Sequence, residues 1–149
     1  MKNLFKVIPV GVMSVLMILL VSYLSLDPDP LGKQELQLFA GADKVGHFLL
    51  YLVTACVFIS DYAKFKLPHH TTLNLELLFM CCAMLLGLLM EIGQLILSNG
   101  RTYDVIDLVA NCLGAATGFA WMHWRGLHKM RRWLLRSGYH HHRHHHHRH

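Results

Sequence analysis

Twenty consecutive residues between Lys6 and Asp27 carry no formal charge, and three further apolar windows follow at about 45–62, 75–97 and 105–124. Runs of this length constrain the fold strongly. At about 1.5 Å of rise per residue they reach about 27 to 34 Å, enough for a hydrocarbon core of about 30 Å. Backbone polar groups inside lipid must satisfy one another within the segment, so each run is expected to be a helix. The reading is an all-α, four-helix transmembrane bundle, with its first span at about 4–26.

Composition agrees. The 149 residues are 54% hydrophobic and only 15% charged, against about 25% charged in ordinary soluble domains. The formal charge is +5, but the basic residues lie at the chain ends and beside the apolar windows. That is a topological pattern, and no nucleic-acid partner is expected. The uncharged first run is longer than the 7 to 15 or so residues of a secretory signal, and no small-x-small cleavage site precedes Asp27, so it reads as an uncleaved anchor.

Lysine and arginine set the expected orientation. With both termini cytoplasmic, eleven basic residues fall inside and three outside, namely Lys33, Lys44 and Arg101. The expected arrangement is multi-pass, with both termini inside. Residues 1–126 form the membrane domain in this reading. In 127–139, Leu127, Met130, Trp133 and Leu134 alternate with basic residues as in an interfacial amphipathic helix. The His-rich stretch 140–149 is expected to be disordered and to bind Zn, Ni or Cu weakly; no other cofactor is expected.

Polar residues inside the apolar windows are the functional signal, since a charge near the centre of a spanning helix costs about 2.5 to 3.5 kcal/mol. In the third window Ala83, Gly87, Glu91 and Gln94 share one face. In the fourth, Asp104, Asp107, Asn111, Gly114 and Gly118 recur at steps of three and four. Gly87, Gly114 and Gly118 are expected to let helices approach closely. The second window opens with Asp43, Lys44 and His47, with Asp43 placed as a helix cap and Tyr51 and Thr54 continuing the His47 face. Asn99-Gly100 marks a tight reversal before Arg101, whose planar fork suits Glu91, Asp104 or an anionic ligand.

The alternating directions bring these residues to one outer level. Asp43, Lys44 and His47 join Glu91 and Gln94, and Arg101, Asp104, Asp107 and Asn111 complete an outward-facing polar pocket. Four carboxylates against Lys44 and Arg101 leave about −2 there with histidine neutral, so a carboxyl is protonated or a positive group is bound. Cys56, Cys81, Cys82 and Cys112 all lie in apolar windows and read as reduced structural thiols. No phosphate-binding loop, nucleophile elbow or HExxH motif occurs.

Three motifs in this order, Asp43-Lys44-x-x-His47-Phe48, Glu91-x-x-Gln94 and Arg101-x-x-Asp104-x-x-Asp107-x-x-x-Asn111-x-x-Gly114, resemble the VanZ-like family of small bacterial membrane proteins across about residues 40 to 120. The resemblance implies a helical bundle related to a protein associated with teicoplanin resistance. It supplies no mechanism. The favoured expectation is a non-enzymatic protein whose pocket acts on or shields a cell-envelope component, with Arg101 and Lys44 on an anionic group. Its partners would be the bilayer and a lipid-linked cell-wall intermediate or lipoglycopeptide.

Two alternatives stay open. The first is an intramembrane enzyme with Glu91 or Asp107 as acid or base and His47 as proton carrier. His47, Glu91 and Asp107 would also suit a metal, although their spacing shows none. In the second, the polar cluster is purely structural.

Overall fold

The computed structural model describes residues 7–26, 41–67, 69–97 and 104–136. They form helices with no strand among the described residues: α1 (Val12–Leu26), α2 (Ala42–Lys66), α3 (Leu73–Leu97) and α4 (Val105–Trp121). A π-helical turn, Met122–Gly126, follows and runs directly into α5 (Leu127–Arg136). α2, α3 and the continuous Val105–Arg136 helix are long and apolar enough to cross a membrane.

α1 is shorter than its apolar run suggests. Pro9 and Gly11, the latter at φ +89°, precede the helix, which begins only at Val12. Its 15 residues span about 22 Å. The expected span at 4–26 is thus trimmed at its start, with 4–6 outside the described residues.

Contacts at both ends set the directions of the helices. The Ser14 amide and hydroxyl donate to Asp61 Oδ2 at 2.8 and 2.7 Å, joining the start of α1 to the end of α2. Gln94 Nε2 donates to the Ser25 carbonyl at 2.8 Å, joining the ends of α1 and α3. The helices therefore alternate in direction, and the starts of α2 and α4 meet the end of α3.

α2 and α4 form the most extensive helix pair, and glycines make it possible. A Cβ added at Gly114 would stand 2.2 Å from the Phe48 carbonyl oxygen, and one at Gly118 would stand 2.5 Å from that of Leu52. Gly87 gives α3 similar access, where an added Cβ would meet Asn111 Cβ at 3.1 Å and Tyr51 at 3.2 Å. At Gly114 and Gly118 the α2 and α4 backbones pack at distances that any side chain would block. Outside this contact, Leu85, Leu89, Leu95 and Ile96 of α3 and Val109 and Leu113 of α4 are exposed, an apolar surface suited to lipid.

A second set of buried polar residues lies at the opposite end. Asp61, Lys64 and Glu76 are buried, Lys64 Nζ donates to the Ile8 carbonyl at 3.1 Å, and His123 Nδ1 lies 2.6 Å from Glu76 Oε2. His123 stands in the π turn and stacks on Phe119. One wide turn therefore seats His123 against α3 before α5 continues with Leu127 and Leu134 buried.

Candidate functional site

Gly41, at φ +91°, starts α2 without a side-chain cap, so Asp43 lies in the first helical turn and is not the cap expected of it. Its side chain is 62% exposed. The cap role belongs instead to Asp104, whose carboxylate accepts the Ile106 N–H at 2.8 Å at the start of α4. Both carboxylates stand where the positive ends of helix dipoles favour them.

Lys44 closes the junction between these two helices. Its Nζ donates to Asp104 Oδ2 at 2.8 Å and to Asp107 Oδ1 at 2.7 Å. Its charge is thereby committed to the protein's own carboxylates, which alters the role expected of it as a contact for an anionic ligand. The Lys44 hydrogen bond, then the Ile106 N–H, hold the Asp104 carboxyl below the usual aspartate range. Protonation must therefore break a native contact. A lowered carboxyl stabilises the fold above the unfolded value and loses that contribution as pH falls through the folded one. The stability difference between wild type and Asp104→Asn should accordingly stay constant from about pH 7 to pH 5 and close only below about pH 3.9. Thermal unfolding in detergent checks this.

Deeper in, His47 occupies the centre. Its Nδ1 lies 3.0 Å from Asn111 Oδ1 and 3.9 Å from Glu91 Oε1, while Nε2 lies 3.9 Å from Asp43 Oδ1 and 4.0 Å from Asp107 Oδ2. An amide oxygen only accepts, so Nδ1 carries the hydrogen it shares with Asn111. Glu91 is 2% exposed, and its Oε1 has no hydrogen-bond partner among the described residues. The neighbouring Tyr51 side chain is fully buried, with the Ser25 side chain beside its hydroxyl. Most buried polar atoms are paired; Asn111 Nδ2 at this end and Asp61 Oδ1 at the opposite end are further exceptions among the described residues.

The structure thus gathers Asp43, Lys44, His47, Glu91, Asp104, Asp107 and Asn111 from three helices. Gln94 instead turns to the α1 carbonyl of Ser25. Arg101 lies outside the described residues, as do the outer loop and the His-rich stretch. The buried polar residues of the opposite end were not foreseen. Their signal was present, since His47, Tyr51, Thr54, Phe58 and Asp61 continue one helical face, as do Glu76, Ala83, Gly87 and Glu91.

A family model described as VanZ/LLP1 matches residues 2–126. No curated protein and no solved structure matches the chain.

Proposed function

The chain belongs to the VanZ/LLP1 family of the matching model, and from that premise we propose that its polar end binds a component of the bacterial cell envelope. Binding there shields that component and underlies resistance to teicoplanin. The protein is a multi-pass inner-membrane protein in this reading, with α2 and α4 starting at the outer face. One observation carries the proposal. Glu91 is buried beside His47 and Asn111 with an oxygen that no described residue satisfies, in a cluster holding more carboxylates than cations.

A site built this way suits a ligand bringing hydrogen-bond donors or positive charge, because an unsatisfied buried acceptor costs about 1 to 3 kcal/mol until it is paired. Arg101, from the adjoining loop, is the group proposed to meet an anionic part of the same ligand. Lys44 holds Asp104 and Asp107 in place.

Mass spectrometry of envelope lipids and lipid-linked intermediates that co-purify with the full chain tests this. Wild type should retain one such species about tenfold more than Glu91→Gln, a difference of about 1.4 kcal/mol. Equal retention of every species would remove the reading.

The position of His47, within 4.0 Å of both Glu91 and Asp107, favours one second reading. There the same end performs acid/base chemistry on a lipid-linked substrate, with His47 carrying the proton. A chemically altered form of the retained species, made by wild type and not by His47→Gln, would distinguish that reading from binding alone.

A further inference from the structure

We propose that Asp43, His47 and Asp107 form a binding site for a divalent cation; this deepens the reading of the same polar end given above and rests on it. One potential ligand atom from each residue lies within 4.8 Å of the others. The two separations from His47 Nε2 are 3.9 Å to Asp43 Oδ1 and 4.0 Å to Asp107 Oδ2. A point equidistant from three such atoms lies about 2.3 to 2.5 Å from each, close to the bonds of about 2.0 to 2.6 Å that divalent cations make to nitrogen and oxygen.

The hydrogen bonds around the three residues leave these atoms free and facing one another. With His47 neutral, the Nδ1 hydrogen given to Asn111 Oδ1 leaves the Nε2 lone pair facing the two carboxylates. Metal-ligating histidines are oriented in this way, through a partner on the other ring nitrogen. Lys44 holds Asp107 by Oδ1 and leaves Oδ2 toward His47. Three electron-rich atoms so placed repel unless a positive charge lies among them.

Glu91 adds negative charge on the Nδ1 side of the same imidazole. Its 2% exposed side chain directs the unpartnered Oε1 at the same imidazole, 3.9 Å from Nδ1. With His47 neutral, Asp43, Glu91, Asp104 and Asp107 against Lys44 leave an excess of three negative charges among the described residues; a divalent cation reduces it to one. Two carboxylates and one imidazole favour an oxygen-preferring ion such as Mn2+ over the softer ions that the terminal histidines attract. Such an ion would also bridge the cluster to an anionic headgroup.

Mn2+ alone, titrated into the full chain in lipid-free detergent micelles and followed by electron paramagnetic resonance, tests the site. Wild type should hold one Mn2+ tightly per chain, and His47→Gln and Asp43→Asn should weaken it about tenfold or more. Asp43→Asn is the clean variant, because its side chain is 62% exposed and makes no hydrogen bond among the described residues. A chain with the eight histidines of residues 140–149 changed to serine should keep the tight ion. Binding unchanged by Asp43→Asn, or lost with the terminal histidines, would overturn the proposal. Since no lipid is present, a missing tight ion removes the cation site and leaves envelope binding standing; lost lipid retention with the ion still held removes envelope binding alone.

Discussion

Gly114→Ala should lower the unfolding temperature of the purified protein by about 10 °C, through a loss of about 3 kcal/mol. The added methyl would stand 2.2 Å from the Phe48 carbonyl oxygen and 3.1 Å from the Leu52 nitrogen, both backbone atoms of α2. Neither can swing aside as a side-chain tip would. Relief requires α2 and α4 to separate, and this pair carries the bundle and sets His47 opposite Asn111. Gly46→Ala is the matched control. It lies in the same α2 helix with nothing within 4 Å of its added Cβ, so it should hold or raise stability by up to about 1 kcal/mol, as alanine in a helix does. Equal unfolding temperatures for the two variants would show that the close approach is not needed.

Glu91→Gln should behave in the opposite way, keeping or raising stability while losing function. Glu91 is 2% exposed, and its Oε1 makes no hydrogen bond with a described residue. The uncharged amide has nearly the same shape and removes an ionisable group whose helix partners are only the Asn111 side chain and, at 3.9 Å, His47. Replacing poorly compensated buried charge by neutral groups is often neutral or stabilising, here by up to about 2 kcal/mol. A residue that can be neutralised without loss of fold is held for another reason, as strained or unsatisfied groups in working sites are. Thermal unfolding beside wild type reads the sign. A drop of several degrees would mean that Glu91 locks the helices together and would favour the purely structural alternative.

Much of this was legible because lipid leaves few options. Long apolar windows in a chain of low charge have to be helices, and the Asp107, Asn111, Gly114 and Gly118 face follows from a period of 3.6 alone. Those residues are buried on α4, with Ala115 beside them. The family match also reaches over the first apolar run, beyond the 40 to 120 or so that the motifs covered.

What was not legible depended on partners distant in sequence. Gln94 shares the Glu91 face, yet the end of α1 offers it an unpaired carbonyl at Ser25. Lys44 looked like a ligand contact until two carboxylates from another helix closed on it. The π turn has no clear sequence mark; it coincides with the seating of His123 against Glu76, a contact spanning 47 residues. Asp61 and Glu76 stand near the ends of apolar windows and Lys64 just past one, where charge usually faces water, whereas here all three are buried.

The proposed function makes the Glu91 end of the bundle the working part of the protein. Its most direct test is the glycopeptide susceptibility of a sensitive bacterial host expressing the full chain, wild type beside Glu91→Gln at equal membrane levels. Wild type should protect against teicoplanin and not against vancomycin, and Glu91→Gln, folded and inserted, should give no protection. Full protection by Glu91→Gln, or none by a well-expressed wild type, would contradict the account.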